Sequence, residues 1–209
     1  MKHARLVSTI AALALAGLAL SGCGQTQATP PAAKLASSLE ELFAQWLDSP
    51  DATAHDKVVL QEAIEAGQIT QAQYQEALDL YITCMSDAGY ELQQTRYSTG
   101  IINAQPPSRV EDLDALIATD QLCQEQTSVF VVMGYETQLG NPDLYADAGT
   151  VAYTCLRKNG LIEDDVALEQ VAAFLTESHR NQYPFDVQDL DVKSCFYAAG
   201  MTYDIDETA

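Results

Sequence analysis

From Ser38 to Gly200 the apolar positions recur mostly every three or four residues, the spacing that gathers them on one face of a helix. Ser38 with Glu41 has the form of a capping box and opens a short helix through Glu40 to Leu47. Ser49-Pro50-Asp51 predicts the next start, with a cap, a proline at the first helical position and an acid at the positive helix end. That helix runs to about Ala66 and stops at Gly67. Thr70 with Gln73 caps a third, in which Tyr74, Ala77, Leu78, Tyr81, Met85 and Ala88 share a face, and it ends at Gly89.

The pattern breaks from Tyr90 to Ser108, which reads as an irregular loop with a short hairpin around Ser98 to Gly100. Ser108 with Glu111 predicts a further cap, and a long apolar-periodic run follows from Asp120 to Leu139. Gly134 inside that run marks close packing or a kink. Asn141-Pro142-Asp143 predicts a helix carrying Leu144, Tyr145, Ala148, Val151, Ala152, Cys155 and Leu156, stopped at Asn159-Gly160. Val166 to His179 and Val187 to Ala199 complete the set. The expected fold is all-α, a small bundle of about six or seven helices, with 201–209 as a frayed acidic tail.

The N-terminal pattern is of another kind. Lys2 and Arg5 precede an apolar stretch from Leu6 to Leu20, too short for a membrane span of about 20 residues and laid out as a cleaved export signal. It ends in Leu20-Ser21-Gly22-Cys23, which resembles the lipobox of bacterial lipoproteins residue for residue. That resemblance implies removal of residues 1–22 and a diacylglyceryl group on the Cys23 thiol, which becomes the new N-terminus. Two long acyl chains, at about 0.8 kcal/mol per buried methylene, anchor a protein stably where one does not. Residues 23–34 (CGQTQATPPAAK) form a polar tether that keeps the 35–200 domain near the membrane surface.

Charge narrows the partners. Removing the signal takes away two of the ten Lys and Arg and none of the thirty Asp and Glu, so the mature net charge is 8 − 30 = −22. Such a surface repels phosphate backbones, which makes nucleic acid a poor partner and leaves lipid on Cys23 as the means of membrane attachment.

Four further cysteines, Cys84, Cys123, Cys155 and Cys195, suit two disulfides in an exported chain. Three of them open the pattern Cys, hydrophobic residue, three residues, Gly: CMSDAG, CLRKNG and CFYAAG. Superposing Cys84 on Cys155 also matches Tyr74 with Tyr145, Ala77 with Ala148, Thr83 with Thr154 and Gly89 with Gly160. A tandem repeat offset by 71 or 72 residues follows, with halves at about 68–140 and 141–200. Local pairing of Cys84 with Cys123 and Cys155 with Cys195 is favoured because it builds two equivalent units, while spacing alone does not exclude the equally regular cross-repeat pairing of Cys84 with Cys155 and Cys123 with Cys195. The paired short spacings of structural zinc sites are absent. The cysteine pattern with the lipobox resembles cysteine-containing cell-surface lipoproteins of actinobacteria, a group that brings no catalytic residues with it.

No catalytic or cofactor motif stands out. His55 and His179 lie in different predicted helices, and no nucleophile elbow, phosphate loop or His-Glu-Xaa-Xaa-His occurs. Glu163-Asp164-Asp165 and Asp186 with Asp189 and Asp191 could offer oxygen ligands to calcium but lack the EF-hand spacing, and they suit helix N-termini. The ten tyrosines against one Trp, Trp46, could line a binding groove, but Tyr74, Tyr81, Tyr145 and Tyr153 lie on or beside apolar stripes, which core packing accounts for better. The expectation is a non-enzymatic binding or accessory module for an envelope partner on the extracytoplasmic face, without a cofactor. A solute or cation receptor and a cell-wall hydrolase are the alternatives.

Overall fold

Local hydrogen bonds decide where most helices begin in the computed structural model, which describes residues 32–106, 109–127, 129–176 and 183–203. Cys23, Ser108 and His179 lie outside the described residues. Eight helices and one hairpin are seen among those that are described: α1 (Leu39–Leu47), α2 (Ala54–Ala66), α3 (Gln71–Asp87), β1 (Gln93–Arg96), β2 (Ile102–Gln105), α4 (Leu113–Gln126), α5 (Val129–Gly140), α6 (Ala148–Lys158), α7 (Leu168–Phe174) and α8 (Leu190–Ala198). The all-α reading holds, with a two-stranded antiparallel ribbon added at the expected hairpin.

The caps at Ser38 and Thr70 form as the spacing predicts. Ser38 accepts from the Glu41 amide, although the Glu41 carboxylate turns to Ser37 instead of closing the box on Ser38. Thr70 and Gln73 make both halves of theirs.

Several starts move. The second helix opens at Thr53 rather than Ser49, because Thr53 and Asp56 form a complete box while Ser49-Pro50-Asp51 closes a separate turn onto Ala52. The helix expected from Asn141 waits until Asp147 caps it at Thr150. Asn141 instead clamps both backbone groups of Tyr145, at 3.0 and 2.8 Å, and Leu144 is held at a φ of 55° that no helix accepts. The long run from Asp120 to Leu139 divides into α4 and α5, the first ending where Thr127 bonds back to the Cys123 carbonyl. Asp112, not Ser108, caps α4. α7 and α8 start at Leu168 and Leu190, two and three residues later than periodicity suggests.

The core has three parts. Phe43, Leu60, Ile69, Tyr74, Leu78 and Val131 join α1, α2, α3 and α5. Leu156, Val171, Phe174, Val192 and Phe196 join α6, α7 and α8. Met85, Leu116 and Cys123 pack α4 on the end of α3. α5 belongs to the first cluster and also packs against α8, and its two glycines allow it. A Cβ at Gly134 would stand 2.5 Å from Ile69 Cδ1, so this glycine marks close packing rather than a kink. A Cβ at Gly140 would stand 2.4 Å from the Ala198 Cβ on α8.

Both ends of the domain are longer than the sequence reading allows. Leu35 donates to the Leu144 carbonyl at 2.8 Å and Ala146 to the Ala33 carbonyl at 2.9 Å, while the Lys34 ammonium lies over the Tyr145 ring. Ala33 and Lys34 thus belong to the fold and not to the tether. Met201 and Tyr203 dock on the α6–α8 cluster, with the Tyr203 ring edge-on to Phe174 at 4.8 Å. A fully frayed tail from residue 201 is therefore corrected, since aromatic burial outweighs fraying there.

The disulfides are local: Cys84–Cys123 and Cys155–Cys195, separated by 39 and 40 residues. The Cys-hydrophobic-three-Gly pattern is a helix stop. Gly89, Gly160 and Gly200 all adopt positive φ. The next amides, of Tyr90, Leu161 and Met201, each reach back 2.9 Å to the carbonyls of Met85, Leu156 and Phe196. This is the Schellman arrangement, repeated three times beside a half-cystine. The likeness fades upstream: Tyr74 is buried within α3, whereas Tyr145 precedes α6.

Candidate functional site

Helical spacing on α3 and α5 builds the two long walls of a groove. Leu78 and Tyr81 come from α3, and Val129, Val132, Met133 and Glu136 follow at i, i+3, i+4 and i+7 along α5. Ile102 and Ala104 of β2 form the floor, and Tyr197 reaches in from α8. A cavity of about 270 Å³ lies among them. A second, of about 480 Å³, continues it under α4, past Leu113, Leu116, Ile117 and Asp120. Tyr81, Ala104, Gln124 and Tyr197 line both, so the two are one groove. Their combined size is in the range that small ligands occupy.

Glu136 supplies the chemistry. Its Oε1 accepts from the Tyr197 hydroxyl at 3.1 Å and lies 3.3 Å from that of Tyr74. The Tyr74 oxygen in turn accepts the Ile102 amide at 2.9 Å, which fixes the ring against β2. Tyr135 stacks on Tyr74 with ring centroids 4.3 Å apart and holds it from behind. Burial pushes the Glu136 carboxyl from its ordinary 4.5 up to about 7, against the opposing pull of the two hydroxyls. Burial, and next the neighbouring Glu136 charge, push the Tyr74 and Tyr197 phenols well above the usual range. Further along, Tyr81 donates to Asp120 at 2.5 Å, and burial followed by that bond raises its phenol too.

The groove thus offers one carboxyl poised near neutrality, flanked by phenols and set in apolar walls. It can hold or release a proton, accept a ligand's hydrogen bond, or pair with a positive charge.

The residues singled out in the sequence lie elsewhere or serve the fold. Cys84 and Cys123 brace α3 and α4 beside Met85 and Leu116, which line the groove, so that disulfide supports one wall. Cys155 and Cys195 staple α6 to α8. Asp164 pairs with Arg157 at 2.7 Å, Asp186 accepts the Gln188 amide, Asp189 caps α8, and Asp191 takes the Ser98 hydroxyl. Among the described residues no group of three His, Cys, Asp or Glu is placed to hold a metal ion. His55 stands 3.8 Å from Glu76 on the surface of α2 and α3.

Glu136 is the functional candidate that periodicity alone passes over. Its signal was present: it is the only charged residue between Glu125 and Asp143, within the apolar run of α5. One acid in thirty gains meaning only when Tyr74 and Tyr197, 62 and 61 residues away, are brought to it. No protein-family model matches this chain, and no curated protein or solved structure matches it either.

Proposed function

We propose that this protein is a lipid-anchored lipoprotein on the extracytoplasmic face of a cell membrane, acting as a non-enzymatic binding module that takes a small ligand into the α3–α4–α5 groove. The anchor rests on the Leu20-Ser21-Gly22-Cys23 sequence. The binding role rests on one observation: a half-buried carboxyl, held by two phenols, on the wall of a groove otherwise largely apolar. Of the sequence-based alternatives, this favours a solute receptor over a docking platform. The two cysteine-stapled halves read as duplicated units, supported by the thrice-repeated helix stop.

A membrane partner remains part of the reading, since a short tether holds the domain where it can hand a ligand to a transporter. Leu113 and Ile117, 61% and 54% exposed on the groove's α4 rim, offer an apolar face for such a contact.

Two measurements test this. Mass spectrometry of the mature N-terminus should find diacylglyceryl-modified Cys23, and in-cell crosslinking should capture a membrane protein that is lost with Cys23→Ala. A thermal-shift screen of the full chain against small solutes should find a stabiliser whose effect disappears in Ala104→Trp, which fills the groove. Stabilisation that survives this change, or none at all, would argue against the groove as a binding site.

A further inference from the structure

We propose that the groove's ligand is a small organic cation with an apolar body, its ammonium group seated against the Glu136 carboxylate. This rests on the binding-module reading and specifies its ligand class.

Three observations point to a cation. The described residues lining the two cavities include two acids, Glu136 and Asp120, and no Lys, Arg or His. Both hydrogen bonds to Glu136 fall on Oε1, so among the described residues Oε2 receives no donor. Oε2 therefore keeps acceptor capacity that an ammonium or N–H donor from a ligand can use. The chain's formal charge of −20 also raises the local concentration of cations and repels anions.

The walls set the rest of the ligand. Leu78, Ile102, Val132 and Met133 present apolar surface beside the carboxyl, which suits a hydrocarbon or aromatic body. Tyr81 and Tyr197 add aromatic rings on which a weakly hydrated ammonium gains further attraction. A bare divalent ion is poorly served, since calcium takes six or more oxygens and no cluster of that kind is present among the described residues.

The groups facing Glu136 keep the site's charge simple. Tyr74 comes from α3, Tyr97 from the hairpin turn and Tyr197 from α8, and all three phenols are pushed up, first by burial. On the α4 side Asp120 is engaged by the Tyr81 hydroxyl. Glu136, with its carboxyl pushed up to about 7, changes charge within the neutral range, and the proton it holds at acid pH competes with the ligand's cation.

The probe is benzyltrimethylammonium chloride, whose charge does not titrate, with benzyl alcohol as its neutral counterpart. Each is titrated calorimetrically into the full chain at pH 6 and pH 8, at constant ionic strength. The cation is expected to bind about tenfold more tightly at pH 8, as a carboxyl of pKa about 7 ionises. Benzyl alcohol should bind weakly, with no pH response. Glu136→Gln, shown to be folded by circular dichroism, should abolish the pH response and weaken cation binding at pH 8 about tenfold or more.

Failure of the cation to bind overturns the inference, as does pH-independent binding or binding unaffected by Glu136→Gln. If benzyl alcohol binds as tightly as the cation and Ala104→Trp abolishes both, the cation class falls while the binding groove stands. Calcium chloride binding that depends on Glu136, with no response to the organic cation, likewise overturns it.

Discussion

Asp56 joins two helices through one carboxylate: its Oδ1 accepts the Val131 amide at 3.1 Å, although 75 residues separate them. Its Oδ2 closes the capping box of α2 on the Thr53 amide and hydroxyl. Val131 lies in the first turn of α5, where amides have no partner within the helix. A single fully buried acid thus caps α2 and fixes the start of the helix that carries Glu136.

Asp56→Ala is therefore expected to destabilise the fold by about 2–4 kcal/mol, since it removes a cap and leaves buried amides unsatisfied. Asp56→Asn keeps one acceptor and should cost about half as much. Urea denaturation followed by circular dichroism reads both, and equal costs would refute the two-sided role.

The two disulfides should differ in what they protect. Each closes a loop of similar length, worth about 4 kcal/mol in the chain-entropy model. Cys155–Cys195 is backed by the large aromatic cluster of Phe174, Phe185, Phe196 and Tyr203, whereas α4 packs through Leu116 and Cys123 into a smaller cluster with Met85, Tyr81, Tyr90, Leu92 and Val110. Replacing Cys84 and Cys123 by serine should release α4 locally, seen as fast amide exchange over residues 113–126 with the α6–α8 region still protected. Replacing Cys155 and Cys195 should lower global stability without selective loss in one helix.

Gly140 and Ala198 set the approach of α5 to α8. Gly140→Ala places a methyl where the Ala198 Cβ already stands, and should cost about 1–3 kcal/mol. Ala198→Gly in the same chain should recover much of that loss, measurable as a coupling energy in a double-mutant cycle. Additive costs would mean that α8 moves away freely.

Glu136 makes stability fall as pH rises. Its folded pKa, about 7, lies above the ordinary 4.5, so the folded state binds more protons than the unfolded one between those values. Its contribution is full below about pH 4.5 and is lost as pH passes 7. Glu136→Gln should then stabilise the chain at pH 8 by up to about 3 kcal/mol and much less at pH 5. Glu41 and Asp147 act in the opposite sense at lower pH, being held below their ordinary values by Ser37 and Thr150. Comparing the variant with wild type at each pH cancels them.

Helix stops were legible because they are local. Gly67, Gly89, Gly160 and Gly200 each end a helix with positive φ, a conformation that costs glycine little whatever lies around it. Starts were less legible. Ser49 and Asn141 satisfy the usual signals and Val187 the apolar periodicity, yet Thr53, Asp147 and Asp189 make the caps, because Ser49, Asn141 and Asp186 are each taken up in a turn of their own.

By itself, the sequence determined the helical class, the helix ends and the candidacy of four cysteines for two disulfides, because periodicity, glycine and thiols act over a few residues. It favoured the local pairing but did not exclude a cross-repeat scheme of equally regular spacing. Only the tertiary structure chose the local one, by folding each half so that α3 meets α4 and α6 meets α8. The groove belongs wholly to that level. Glu136 acquires its raised pKa from burial against Tyr74, Tyr197 and the β2 floor, and desolvation is a property of what surrounds a residue in space, which no spacing along the chain encodes.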